Sequence, residues 1–329
     1  MSFKKVLVFI SFVLFSSSFG VNGQGLSRLL EKSFATISFG GGSSHYFGDL
    51  APYSKPHLVL LTTPRWNGTI NYALNFNDRF GLRASFAYAR LMGDDYTFSK
   101  WDIEKFYDRQ FRNLHFRNDV KEFTLIGTYN LTPLYNRTYL NRNFFVPYLI
   151  FGVGLYYHSP QARIATNTTA KGEWYSLGGL RTGDQAKPYS KVQMVAPLGM
   201  GFKFRINQDF DLNLEGGLRI TPFDYLDDVG TEEYVNPTAS SDPKQVAFSN
   251  RSTEDFAART GENRGTYFQQ AASFVGKTIS SPGAATGSNA VAGYGISRRF
   301  ASGRWDSYFL TQITLTYYLG QKTYCPPIK

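Results

Sequence analysis

From Val192 to Phe204 every second residue is apolar: Val192, Met194, Ala196, Leu198, Met200, Phe202 and Phe204. Gln193, Pro197, Gly199, Gly201 and Lys203 fall between them, and Arg205 follows. The scheme returns with Phe210, Leu212, Leu214, Leu218 and Ile220 against Asp211, Asn213, Glu215, Arg219 and Thr221. Strand side chains point alternately to opposite faces, so a period of two predicts two strands, each with one apolar and one polar side. Asn207-Gln208-Asp209 between them reads as a tight hairpin turn. At about ten residues each, such strands are long enough to cross a bilayer when tilted.

The same alternation predicts six more strands: Phe34 to Phe39, Trp66 to Phe76, Phe80 to Arg90, Lys121 to Leu131, Phe144 to Tyr157 and Trp305 to Leu319. Gly40-Gly41-Gly42-Ser43-Ser44 reads as a loosening of the chain after the first of them. Connections then alternate in length, with the tight turn Asn77-Asp78-Arg79 and long links over 92–120, 158–189 and 222–304. The expected fold class is all-β, an eight-stranded antiparallel transmembrane β-barrel with long extracellular loops and short periplasmic turns. Closure is required because an open sheet edge in lipid leaves backbone groups unpaired at several kcal/mol each. A lumen of eight strands is filled by side chains, here Arg83, Glu122, Lys203, Arg205, Glu215 and Arg219, and conducts nothing.

The first residues imply export. Met1 to Lys5 is basic, Val6 to Phe15 is apolar, and small residues up to Gly23 suit cleavage before Gln24. Residues 1–23 are expected to be a signal peptide, 24–33 a short periplasmic segment with two possible helical turns, 34–319 the barrel, and 320–329 a periplasmic tail. The sole cysteine, Cys325, lies in that tail, so no internal disulfide is possible and the signal is not of the lipoprotein kind. Of the 329 residues 17% are aromatic, which fits girdles at two membrane interfaces. The formal net charge of +10 comes without a basic run or recognition helix. Anionic lipid, lipopolysaccharide or an acidic partner is expected, and no nucleic acid.

Catalytic, metal and cofactor sites are not expected. His45, His57, His115 and His158 have no metal-ligand spacing, and neither Ser44-His45 nor His158-Ser159 belongs to a nucleophile motif. Asp224-Tyr225-Leu226-Asp227-Asp228 lacks the spaced oxygens of a calcium loop. With Asp49 it is expected to order the exit of the last long loop, through pairs with Arg112 or Arg117. The tryptophans are expected to anchor at membrane interfaces.

Several phrases occur together: Tyr46-Phe47-Gly48-Asp49-Leu50, Arg83 to Gly93, Phe111 to Asp119, Val146 to Gly154, Tyr189 to Gly201 and Asp224 to Val229. In order and spacing this set resembles the PorG-like outer-membrane barrels of Bacteroidetes, an envelope component of the type IX secretion system. The resemblance spans about residue 34 to 319. It implies a non-catalytic accessory barrel of the secretion and gliding machinery that contacts periplasmic ring proteins of the PorK and PorN kind. Candidate contacts are the turns Asn77, Asp78, Arg79 and Asn207, Gln208, Asp209, with Cys325. The alternatives are a surface adhesion or ligand-binding barrel working through its outer loops, and a lipid-modifying enzyme.

Overall fold

The computed structural model describes residues 33–51, 54–135, 142–165, 171–183, 185–234, 242–279, 281–284, 297–299 and 304–319. The expected signal peptide, almost all of the 24–33 segment and the tail with Cys325 lie outside the described residues.

Ten strands form one sheet: β1 (Phe34–Phe47), β2 (Arg65–Asn75), β3 (Phe80–Asp94), β4 (His115–Asn130), β5 (Phe145–Tyr157), β6 (Gln161–Ala165), β7 (Lys171–Ser176), β8 (Val192–Arg205), β9 (Phe210–Ile220) and β10 (Ser307–Leu319). Eight close on themselves in the order β3-β2-β1-β10-β9-β8-β5-β4, with β4 pairing back onto β3. All eight neighbour pairs are antiparallel. The fold is therefore a closed eight-stranded antiparallel barrel. The remaining hairpin, β6–β7, continues the sheet beyond the barrel from the outer end of β4, through Arg117 opposite Gln161. It stands where the sequence suggested only a connection.

Short helices lie in the long links: α1 (Pro56–Thr62), α2 (Asp95–Trp101), α3 (Tyr107–Arg112), α4 (Pro243–Ser249) and α5 (Gly265–Phe274). Among the described residues no helix is long and apolar enough to cross a membrane, which has no bearing on crossing by strands.

The barrel wall is inside out over its middle. Phe39, Ile70, Phe86, Phe123, Phe151, Val153, Leu198, Met200 and Ile313 all stand exposed, Val153 at 62%. Asn71, Ser85, Thr124, Asn213, Glu215 and Gln312 are buried in the lumen. An apolar outer belt around a polar filling is the arrangement of a barrel that crosses lipid with strands.

Towards the long links the polarity inverts. Tyr46, Ala89, Leu91, Phe116, Val120, Tyr156, Val195, Tyr308 and Leu310 are buried there with Leu50, Val59, Phe98, Leu114, Leu226 and Val229 from the links. The outward positions of β3 and β4 at this height are Arg90, Arg117, Asp119 and Lys121. An ordinary hydrophobic core therefore closes the mouth at this end.

Three strands extend past their expected ends because of this inversion. β4 begins at His115 instead of Lys121, β3 runs to Asp94, and β1 continues through the glycine run to Phe47. The glycines do not loosen the chain. β1 and β10 approach so closely there that a Cβ at Gly40 or Gly42 would strike the carbonyl oxygen of Ile313 or Thr311.

Candidate functional site

The lumen is plugged by three layers, each an arginine, a carboxylate and a tyrosine. In the middle layer Arg83 forks onto Glu215 at 2.7 and 2.9 Å, and the Tyr148 hydroxyl donates to Glu215 at 2.9 Å. Nearer the long links, the Tyr308 hydroxyl donates to Glu122 at 2.5 Å and Arg219 lies 3.6 Å from the same carboxylate. At the short-turn end Arg142 donates to Asp211 at 2.6 Å, Tyr318 donates to Asp211 at 2.5 Å, and the guanidinium lies 3.8 Å over the Tyr318 ring. Each charge is matched because an unpaired one in so dry a space costs several kcal/mol. The void left around Arg83, Tyr148 and Lys203 is about 30 Å³, room for no more than a water or two. Of the charges expected to pair inside, Arg83, Glu122, Glu215 and Arg219 do so. Arg205 instead donates to the Arg142 carbonyl, and Lys203 lies 5.0 Å from the Tyr148 ring.

The long-link end is a polar seal set on the hydrophobic core. Asp95, at the start of α2, is fully buried. It accepts two hydrogen bonds from Arg112 at 2.7 Å each, one from Arg109 at 3.1 Å and one from the Leu114 amide at 3.0 Å. Both arginines also donate to the Asp49 carbonyl, and Arg112 reaches the Arg298 carbonyl at 2.6 Å. Asp227 accepts from the Leu50 and Val229 amides, and Asp306 from the Tyr46 hydroxyl and the Leu226 amide. Asp228 takes the hydroxyls of Thr182 and Tyr189, with Arg298 at 3.6 Å. All four long links thus meet at one place.

The five largest fully buried side chains described are Arg112, Arg219, Arg251, Arg264 and Arg298. Burial holds the Arg264 guanidinium down at about 9. Burial, reinforced by the Asp49 charge, pushes the Asp227 carboxyl up to about 8, and burial pushes Asp224 up to about 7.

Asp49, Asp224 and Asp306 bring carboxylate oxygens within 4.8 Å of one another, the one grouping among the described residues with donors suited to a metal ion. Arg299 already supplies a cation there, paired with Asp224 and 3.7 Å from Asp49.

The acidic segment and Asp49 are paired with cations of the last link rather than with Arg117. Arg298 and Arg299 pair with them directly. Arg112 donates to Asp95 and to the carbonyls of Asp49 and Arg298, and its charge reaches Asp49 and Asp227. Arg117 is not in the seal at all: it points outward, 4.1 Å over the Trp174 ring. Asp95, Arg142, Arg298, Arg299 and Asp306 carried no local signal, since each acts through a partner distant in sequence.

The two short turns are built alike. The Asn77 side-chain oxygen accepts from the Arg79 and Phe80 amides, all at 2.8 Å, and Asn207 does the same for Asp209 and Phe210. Arg79 donates to the Leu131 carbonyl, the Asp78 carbonyl accepts from Leu134 and Asn130, and the Gln208 carbonyl accepts from Arg142. The side chains of Arg79, Gln208 and Asp209 remain exposed.

Neither serine–histidine neighbour pair forms a nucleophile and base. Ser44 donates to the Arg90 and Trp66 carbonyls while His45 meets Ser43. Ser159 meets Ser176, and His158 meets the Ser190 carbonyl. Of the tryptophans, Trp66 stacks on Tyr88 on the outer wall, whereas Trp101 lies on α2 and Trp174 on β7. The last two lie above the apolar belt, Trp174 beside the Arg117 and Arg163 guanidiniums. Trp101 borders an open groove of about 470 Å³ with Tyr96, Lys100, Arg259, Glu262 and Tyr267.

A family model described as a domain of unknown function, DUF6089, matches residues 27–276. The chain belongs to the DUF6089 family. The DUF6089 match takes in all of the barrel except β10, together with most of the seal. No curated protein matches the chain in sequence. Similar solved structures include Ail, the attachment invasion locus protein of Yersinia pestis, in complex with the heparin analogue sucrose octasulfate. That likeness has 10% identity and a TM-score of 0.35 over 87% of this chain and 98% of the other. Neisserial surface protein A is similar at 6% identity and a TM-score of 0.36, over 86% of this chain and 96% of the other.

Proposed function

We propose that this DUF6089 chain is a non-catalytic outer-membrane barrel serving as an assembly component of the type IX secretion and gliding machinery. In this reading the long links face outward and the short turns meet periplasmic ring proteins of the PorK and PorN kind. A lumen closed by three charged layers supports a role carried by the two ends, since nothing passes between them. The observation that carries the reading is where the resembling phrases lie. Asp49, Leu50, Arg112, Asn118, Tyr189, Leu226, Asp227 and Asp228 come from four separate phrases and interlock in the one seal.

Exposed turn side chains offer the docking end. The test is co-purification from outer membranes in mild detergent, comparing the wild type with Arg79→Ser/Gln208→Ser/Asp209→Ser, which leaves both Asn-capped turns intact. Loss of ring proteins with the barrel still inserted is expected, and a deletion strain should lose secretion. Unchanged secretion in the deletion strain would refute the assignment.

One feature favours a second reading, a surface-binding barrel. The 470 Å³ groove presents Trp101, 68% exposed, beside Tyr96 and Tyr267, with Lys100 5.6 and 5.9 Å from the two tyrosine rings and 2.9 Å from Glu262. Aromatic faces beside charged donors and acceptors suit a polar surface ligand. Trp101→Ala/Tyr267→Ala should then abolish surface binding while secretion continues.

A further inference from the structure

Just above the apolar belt, the outer wall over β3, β4 and the β6–β7 hairpin carries a crowd of cations. Lys121 lies one outward step, about 7 Å, beyond the exposed Phe123. It stands opposite Tyr88 and Tyr157, with its ammonium 5.7 Å from the Tyr157 ring. Beside it Arg90 forks onto Asp119 at 2.6 and 2.8 Å and lies 5.7 Å from the Trp66 ring. Higher on the same face Arg117 lies 4.1 Å over the Trp174 ring and donates to Gln161 at 2.7 Å, while Arg163, buried behind it, lies 5.3 Å from the same ring and donates to the Arg259 carbonyl. Arg259 stands near Arg163 and is paired with Asp94.

Asp119 and Asp94 thus serve Arg90 and Arg259. Among the described residues no carboxylate forms an ion pair with Lys121, Arg117 or Arg163. Arg117 feels the like charge of Arg90, and Arg163 those of Arg259, Arg117 and Arg251, offset in part by Asp119 and Asp94. Aromatic rings fix these cations in position, and like charges held together call for an anion.

We infer that this outer-wall patch, Lys121, Arg90 and Arg117, backed by the buried charge of Arg163 and flanked by Trp66, Tyr157 and Trp174, docks the phosphorylated headgroup of a membrane lipid. The patch faces sideways and is continuous with the apolar belt below it. A headgroup whose acyl chains lie along Phe123, Leu125 and Leu155 meets both surfaces at once, whereas a soluble polyanion would meet hydrocarbon. Guanidinium forks suit phosphate oxygens, and aromatic rings suit the interface. The inference rests on the membrane reading of the barrel and names the lipid class its wall selects.

The test uses the intact mature chain in detergent, with lipid retention read by native mass spectrometry. The probes are diphosphoryl lipid A, the same lipid dephosphorylated, phosphatidylcholine, and inorganic phosphate alone. Each basic group near an anionic headgroup contributes about fivefold in affinity, so Arg117→Gln/Lys121→Gln/Arg163→Gln should bind the diphosphorylated lipid on the order of a hundredfold more weakly. Lys121→Gln alone, at an exposed position on the barrel wall, should lose about fivefold. Lys105→Gln/Lys187→Gln/Lys277→Gln, with the same charge removed elsewhere, should bind as the wild type does. Equal retention of phosphorylated and dephosphorylated lipid, equal loss in both triple variants, or displacement by inorganic phosphate alone would each overturn the inference. Protease-protected insertion into pure phosphatidylcholine vesicles checks the membrane reading separately.

Discussion

Replacing Asp95 with asparagine tests whether the seal is held by charge. The substitution keeps the shape and removes one negative charge from a site with no exposed surface. Two bonds from Arg112 and one from Arg109 would lose their charged acceptor, and the new amide would aim N–H groups at guanidinium donors. Breaking a buried pair while leaving the other charge in place costs about 3–5 kcal/mol. At 1.4 kcal/mol per factor of ten, the opening equilibrium of the mouth should rise between roughly 100- and 4,000-fold. The loss should stay local, because the lumen layers draw on other carboxylates. Hydrogen exchange of the intact barrel in detergent, read by mass spectrometry, separates the two regions. Amides in α2, α3 and the start of β4 should exchange faster by that factor, while those of β9 stay protected. Exchange in α2 and α3 within about twofold of the wild type would refute the reasoning, as would equal loss of protection in β9.

The seal should loosen as pH rises. The Asp227 and Asp224 carboxyls are raised to about 8 and about 7, so the folded state holds more protons than the unfolded one from about pH 4 upward. Their contribution is complete below that range and falls away as pH climbs through 7 and 8. Tryptic cleavage of the long links, normalised to an unfolded substrate, should therefore be faster at pH 8.5 than at pH 6, and Asp227→Asn should flatten the difference. In the lumen, Arg83→Met strands Glu215 and should cost about 3–5 kcal/mol in urea unfolding from vesicles, with most of it restored in Arg83→Met/Glu215→Met. Gly42→Val drives a side chain into the Thr311 carbonyl at the β1–β10 seam, and the fraction of heat-modifiable, closed barrel on gels should collapse.

The strands that cross the belt were legible because hydrocarbon imposes the period of two: β8 and β9 match their apolar positions residue for residue. Above the belt the same period persists with its sign reversed. Phe116, Asn118 and Val120 point inward while Arg117 and Asp119 point out, so the segment read as a charged connection. The glycines of β1 signalled freedom of the backbone, and the structure uses their lack of a side chain instead. The pairing of Asp224 to Asp228 with cations was legible, because an acidic cluster leaving a strand needs them. Which cations was not legible: Arg298 and Arg299 lie some seventy residues away and resemble any other arginines in a polar link. Arg142 is likewise ordinary in sequence, and becomes the basal plug only when the barrel brings Asp211 and Tyr318 to it.

The sealed mouth also dictates an order of events during biogenesis. Its oily centre draws on β1, β3, β4, β5, β8 and β10 with their intervening links, so the whole of it cannot form on any single growing hairpin. The complete core can gather only once the first and last strands have joined. Ring closure therefore comes before the finished lid, and a chain stalled short of β10 would leave Tyr46 and its neighbours without the cover of Tyr308 and Leu310.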